Sequence, residues 1–345
     1  AEISCIYVRG GRTRKVHNLV CMPDVEGAGR YSARLSKLGN VESDGRPILG
    51  LDSRDLLEIL LECDEDAFMI PAHIWTPWFS ALGSKSGFDS LEECFGDLTR
   101  HIFAVETGLS SDPSMNWRLS DLDDLALVSN SDAHSCSRLG REANRFDIEL
   151  SYYAMRDALK SRDPAKFLGT IEFFPEEGKY HLDGHRKCAT RMDPRETREH
   201  GGLCPSCGKP VTIGVLHRVE ELADRPEGAR PPTALPYISL LGLDEIISQA
   251  MAMGAESKPA RAERQKLLER VGPELRVLME APLEAIAGVS HPLVAEGLRR
   301  MRSGAIKIAP GYDGEFGAIE IFNPEERESL MGQLSLISRP NRGKG

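Results

Sequence analysis

No stretch of this 345-residue chain is apolar over transmembrane length, and the opening residues do not read as a secretory signal. Both absences lead to the expectation of a cytoplasmic, nucleoid-associated protein with no membrane partner. The eight cysteines show no disulfide-framework spacing; five are scattered at positions 5, 21, 63, 94 and 136. Such usage suits thiols kept reduced in a cytosol. An excess of positive charge is also missing, since 43 Lys and Arg face 53 Asp and Glu for a net charge of −10. A chain that grips nucleic acid with its whole surface is thereby excluded, although a local basic face is not. Aromatics are sparse at 6%, whereas 41% hydrophobic and 28% charged residues are ordinary for a globular protein. The length allows two or three domains, each with its own core.

The remaining three cysteines carry the sharpest local signal. His185-Arg-Lys-Cys188 is followed, after fifteen residues, by Cys204-Pro-Ser-Cys207. Two close ligand pairs on opposing turns supply the tetrahedral N/S set of a structural Zn²⁺ without needing a large core. Gly208 suits the tight knuckle after the second pair, where positive φ lets amides approach the sulfurs. His181 and His200 compete with His185 for the fourth position.

Periodicity organises the rest. Residues 3–8 and Val16–Met22 read as strands joined by the basic turn Arg9-Gly-Gly-Arg-Thr-Arg-Lys15. Asp52 and Asp55 open a helix with Leu56, Leu57, Leu60 and Leu61 on one face. Short apolar runs ending at His73, Glu106 and Asp132-Ala-His134 recur at intervals of roughly thirty residues, alternating with helical patterns. That alternation predicts βα units, with ionisable residues at the strand ends where such folds place their chemistry. Helix Tyr152–Ser161 and strand Phe167–Phe174 follow. Arg225–Pro236 reads as an extended segment, and helices dominate from Leu243 to Arg302. A turn, Gly311–Gly317, joins two short apolar runs, and Ser338–Gly345 reads as a frayed tail.

Asp132 and His134 are two apart on an extended segment, so both face one side. His73 reaches the same rim from a neighbouring strand, and Glu2 comes from the first strand. Two or three divalent ions bridged by carboxylates and capped by imidazoles would activate water and neutralise a phosphoryl transition state.

These residues resemble the later motifs of the PHP (polymerase and histidinol phosphatase) phosphoesterase superfamily. Longer stretches narrow the likeness: Ser43–Asp52, Pro71–Phe79, Glu106–Pro113, Ser129–His134, Gly169–His181, His217–Pro226 and Pro310–Gly317. Together they are similar to the endonuclease Q family over nearly the whole chain. The resemblance implies a distorted (β/α)7 PHP barrel over 1–178, incomplete at its N-terminus with the opening strands missing, a zinc-binding module over 179–230, a mainly helical region over 231–337 and a tail over 338–345. It implies hydrolysis of the DNA backbone 5′ of a deaminated base (uracil, hypoxanthine, xanthine) or an abasic site, in DNA repair. Glu2 matches the family's bridging carboxylate, and His73, Asp132 and His134 match later ligands of a site holding two or three Mg²⁺, Mn²⁺ or Zn²⁺ ions. The family's first motif, H-x-H on the opening strand, does not occur before Glu2. Because the chain opens mid-strand without Met, residues are expected upstream, and little nuclease activity is expected from the chain as given.

Damaged DNA is the expected partner, with replication or repair proteins as further candidates and a monomer as the expected state. Arg9, Arg12, Arg14 and Lys15 after the first strand, and Arg186 and Lys187 beside the zinc ligands, are candidate phosphate contacts. Trp75 and Trp78 could stack on a base or wedge into a duplex, with core packing as the competing role. A small-molecule phosphoesterase and a non-catalytic zinc-dependent nucleic-acid-binding protein are the alternative functions.

Overall fold

The computed structural model describes residues 1–42 and 45–337, with the side chains of 332–337 left aside. Ser43 and Asp44 of the expected family stretch, and the expected tail Ser338–Gly345, lie outside the described residues. The chain forms two compact units, one of Ala1–Ser239 with Pro310–Phe316 and one of Leu240–Ala309 with Gly317–Gly345.

The first unit opens on an antiparallel hairpin, β1 (Glu2–Arg9) and β2 (Arg12–Cys21). Gly10 and Gly11 take φ of 60° and 73°, the left-handed turn that matches strand twist and fixes Arg9 opposite Arg12. Counting back along that register places Glu2 opposite Leu19. The next element, helix α1 (Val25–Leu35), carries no clear sequence signal. Gly27 and Gly29 make the segment look like a loop. Asp24 nonetheless caps it, accepting from Gly27 N at 2.6 Å, and Tyr31 and Leu35 anchor it.

Strand β3 (Ile48–Leu49) pairs parallel with β1. Helix α2 (Ser53–Cys63) is capped by Asp52 and buries Leu56, Leu57 and Leu60 against Ile3, Cys5, Val16 and Val20 of the hairpin. Burying each such leucine is worth about 1.5–3 kcal/mol, so this face holds the hairpin in place. Strand β4 (Phe68–Pro71) pairs antiparallel with β2, giving the sheet order β3-β1-β2-β4. Helix α3 (Leu91–Phe95) leads to β5 (Ala104–Glu106), and helix α4 (Pro113–Asn116) to β6 (Ala126–Val128); β5 and β6 are parallel. Strand β7 (Ala143–Phe146), helix α5 (Tyr152–Ser161) and strand β8 (Phe167–Glu172) complete this region.

The fold is a mixed α/β one. Among the described residues the ladders form separate sheets and no closed barrel. The hairpin and β4 run antiparallel, and the later strands are short. The β5–β6 ladder is extended by Thr107 N to Val128 O (2.9 Å), and single hydrogen bonds join the other strand ends: Ile74 N to Glu106 O (3.1 Å) and Ser129 Oγ to Ile171 O (2.8 Å). Those bonds still bring the ends of β4, β5, β6 and β8 side by side.

The Cys/His segment is built from an antiparallel pair, β9 (Asp183–His185) and β10 (Thr190–Met192), and helix α6 (Pro194–Glu199) with a capping box at Asp193. Helix α7 (Val215–Leu222) follows, then β11 (Tyr237–Ser239) parallel to β8. Residues 310–316 return to this unit: Leu182 N donates to Gly311 O (3.0 Å), Gly311 N to Glu176 O (2.7 Å) and Gly314 N to Lys179 O (2.9 Å).

The second unit is helical, as its composition indicates. It comprises α8 (Leu243–Met251), α9 (Lys258–Arg270), α10 (Glu274–Met279), α11 (Leu283–Ala287), α12 (Pro292–Ser303) and α13 (Pro324–Ile337). A short hairpin, β12 (Lys307–Ala309) with β13 (Ala318–Glu320), belongs to it. Leu243, Ile246, Ile247, Leu267, Leu293, Val294 and Leu298 are buried. Arg302 caps the end of α10 by donating to the carbonyls of Val277, Leu278 and Ala281. No helix among the described residues is long and apolar enough to cross a membrane.

Candidate metal centres

Glu2, His17 and His73 converge at one edge of the four-stranded sheet, each offering a ligand atom within 4.8 Å of the others. His17 Nδ1 lies 3.2 Å from both Glu2 Oε1 and His73 Nε2, and His73 Nε2 lies 3.5 Å from Glu2 Oε1. Glu2 Oε1 is buried and receives no well-aligned hydrogen bond, although two imidazole nitrogens face it. A carboxylate oxygen and two imidazoles meeting at one point are a donor set that suits a divalent cation. The Arg46 guanidinium adds positive charge, 2.9 Å from Glu2 Oε2 and 2.8 Å from His17 Nδ1.

The local electrostatics follow. Burial pushes the Glu2 carboxyl up, but the His17 and His73 imidazoles facing it and the charge on Arg46 outweigh it and hold the group well below the usual carboxylate range. His17 is lowered, chiefly by burial, with His73 and Arg46 adding to the effect. His73 is raised: burial opposes its charge, yet Glu2, Glu106 and Asp132 together prevail.

The backbone fixes His73. Its N–H donates to Glu106 Oε2 at 2.7 Å, and Asn130 holds the other Glu106 oxygen at 2.8 Å. A Cβ at Gly108 would stand 2.4 Å from that of His73, so only glycine fits there. His73 (φ 32°), Phe79 (φ 63°) and Asp132 (φ 43°) all sit in the left-handed region. Strained backbone concentrated at one edge is characteristic of functional sites, where the surrounding structure over-determines it. The Phe79 ring covers His17 with centroids 4.8 Å apart.

Sequence reasoning found Glu2 and His73 but passed over His17. The signal was available, because Gly10-Gly11 fixes the hairpin register. Glu2 faces Leu19, and His17, two residues along, shares that face. Asp132 is drawn toward the group through Arg46, 3.8 Å away. His134 is not brought in: its side chain is 78% exposed, and Nδ1 turns back to the Asp132 carbonyl at 2.9 Å. The positive φ at Asp132 breaks the extended geometry that would have put both side chains on one side.

The second group is His185, Cys188, Cys204 and Cys207, again with ligand atoms within 4.8 Å of one another. That clustering suits a tetrahedral ion with metal–sulfur bonds of about 2.3 Å. His181 instead lies buried, its imidazole pushed down to about 4 by desolvation. The Cys204 thiol is pulled down to about 6 by the Thr190 hydroxyl and nearby amides, while its neighbour Cys188 is pushed up. Gly208 has φ of 69°, as the knuckle requires.

The DNA-contact candidates divide. Trp75 is fully buried with its indole N–H on Asn116 Oδ1 at 2.8 Å, which corrects the stacking expectation. Arg14 is buried too, its guanidinium 4.1 Å from the Phe88 ring centre, so its charge is used inside the unit. Arg9 is paired with Asp52 at 3.4 Å. Arg12, Arg186 and Lys187 are exposed. Trp78 is 52% exposed, with Lys15 Nζ 5.3 Å from its ring centre.

Comparison with known proteins fits this geometry. Residues 242–305 match the MJ0043 C-terminal domain family. The chain is 34% identical to the uncharacterized protein MJ0043 of Methanocaldococcus jannaschii over 80% of its own length, but spans only 35% of that relative. It is 31% identical to the uncharacterized protein YqxK of Bacillus subtilis, covering 88% of this chain and 74% of YqxK. Among solved structures, the lesion-specific endonuclease PfuEndoQ from Pyrococcus furiosus superposes with a TM-score of 0.82 at 32% identity, over 95% of this chain and 81% of that one. An endonuclease Q complex with a 27-mer duplex bearing an abasic lesion at the active site gives 0.79 at 32% identity, over 94% and 79%. On this similarity of sequence and structure, the chain belongs to the endonuclease Q family.

Proposed function

We propose that this chain works in a metal-dependent DNA endonuclease of repair, cutting the backbone 5′ of deaminated bases or abasic sites. The convergence of Glu2, His17 and His73 at the strand ends carries the reading. These three residues would hold a divalent ion, with Asp132 beside them. Such an ion, when bound, supplies Lewis acidity and a water of lowered pKa. The chain's own residues set the stage. Glu106 and Gly108 fix His73, Phe79 shields His17 from water, and Arg46 offers a cation that suits a phosphodiester oxygen. Kinship with an endonuclease solved on abasic DNA supports the substrate class. We assign His185, Cys188, Cys204 and Cys207 to a structural zinc that shapes a DNA-facing surface and takes no part in the reaction.

The test uses the full-length gene product with duplexes carrying uracil, hypoxanthine or an abasic site, in Mg²⁺, Mn²⁺ or Zn²⁺. A nick on the 5′ side of the lesion is expected. Hydrolysis of phosphomonoesters without DNA binding would replace this reading by a small-molecule phosphoesterase. Steeply salt-dependent DNA binding with no nick at any lesion would replace it by a non-catalytic nucleic-acid-binding role.

A further inference from the structure

The turn formed by residues 310–316 displays a surface that the proposed chemistry does not use. Phe316 is 73% exposed, and Lys179 Nζ lies 4.5 Å from its ring centre. Tyr180 is 44% exposed. Its hydroxyl and the Arg186 guanidinium come within 3.7 Å and 3.6 Å of the point where a Cβ on Gly314 would stand. Two open rings and two exposed cations therefore gather around one glycine turn.

This surface is held firmly from below. The backbone bonds of Gly311 and Gly314 to Glu176 and Lys179 pin the turn at both ends. Asp313 accepts from Arg186 N at 2.6 Å and from the Thr212 hydroxyl at 2.6 Å, and Arg191 donates to Pro310 O at 2.9 Å. Hydrophobic burial does not explain Phe316, whose ring lies in solvent. Nor does the patch lack cations: Lys179, Arg186 and Arg191 stand at this turn beside two carboxylates, Asp313, which is held by hydrogen bonds, and the exposed Glu315.

We propose that Phe316 and Tyr180, flanked by Lys179 and Arg186, form a stacking platform for a nucleobase unstacked from lesion-bearing DNA, with the cations on the adjoining phosphates. Stacking on an aromatic ring tolerates any base, whereas the cations add backbone affinity that salt weakens. A rigid exposed ring loses little freedom on binding, which suits a residue that must replace a lost stacking partner. The inference rests on the DNA-endonuclease reading and adds the element that engages the distorted strand.

The experiment measures two quantities on the full-length protein: anisotropy-based affinity for an abasic duplex, and fluorescence of a 2-aminopurine placed next to the lesion. Phe316→Ala should weaken lesion binding at least about fivefold, by loss of one base–aromatic stack, and abolish the 2-aminopurine response. Phe316→Trp should restore both, and Phe316→Leu, which keeps an apolar surface without a π face, should not. Binding of undamaged duplex at low salt should be the same in all four proteins. Phe316→Ala behaving like the parent protein, with lesion preference intact, overturns the platform and leaves the endonuclease reading standing. Full rescue by leucine also overturns it, in favour of a merely apolar contact. A parent protein with no preference for the abasic duplex overturns both.

Discussion

The two ligand clusters use similar chemistry and are built in opposite ways. Glu2 and His17 come from two strands of one sheet and His73 from just beyond the end of a third, and the hairpin core beneath them fixes their spacing. His185, Cys188, Cys204 and Cys207 come from two short turns, around which only Met192, Cys204 and Val211 form a buried apolar group. The first cluster borrows its rigidity from packing, so its positions are set before any ion arrives. The second has little core to lean on and needs cross-linking through its ligands. The same contrast separates a site fit for chemistry from one fit for holding shape.

Losing a cysteine should therefore have the largest effect. Cys204→Ser is expected to remove one bound zinc per chain and open residues 183–212 to proteolysis, while the helical unit keeps its cooperative unfolding. Metal analysis and limited digestion check this; an unchanged digestion pattern after zinc loss would break the comparison. A smaller structural but larger chemical effect is expected at the sheet edge. His17→Ala should leave the folded content and the melting temperature within a few degrees of the parent, yet lower cleavage by at least about a hundredfold, the scale set by losing a catalytic metal's ligand or orienting shell. His134→Ala, at an exposed position, should lower it far less. Single-turnover nicking rates beside DNA affinities distinguish the two, and equal losses would return His134 to the cluster.

The finest probe concerns the ion pair that ties the β9–β10 hairpin to α7. His217 Nδ1 and Asp183 Oδ2 are 2.6 Å apart, joining α7 to β9, and the partner carboxylate raises the His217 imidazole above its ordinary value. A raised histidine stabilises the fold fully below its unfolded pKa and loses that contribution as pH rises through the folded value. Stability of the parent should accordingly fall as pH climbs upward from about 6.5, the ordinary histidine value. Asp183→Asn should flatten that slope, as thermal melts across the range would show.

How much was legible follows the same division. The Cys/His group could be read because its members pair three apart in sequence, and spacing along the chain is what a sequence displays. The helix of Leu56, Leu57 and Leu60 was equally plain from its period. His17 escaped because its meaning lies across a hairpin, in the register set by two glycines. Asp132 and His134 show the opposite case: alternation puts them on one side, and a single positive φ turns His134 away. Trp75 looked like a stacking ring until burial assigned it to the core. The antiparallel pairing of β4 with β2 was not legible, because strand recurrence predicts neighbours, whereas pairing direction depends on contacts between distant segments.

The return of residues 310–316 to the first unit has a consequence for the order of synthesis. Ribosomes deliver the chain from its N-terminus, and domains ordinarily fold as they emerge. Here the segment that completes the first unit appears only after the helices of the second have been made. The nascent molecule must therefore keep the edge around Glu176, Lys179 and Leu182 open for some seventy residues of translation. A message cut short before codon 310 would yield a β9–β10 hairpin without its last clasp.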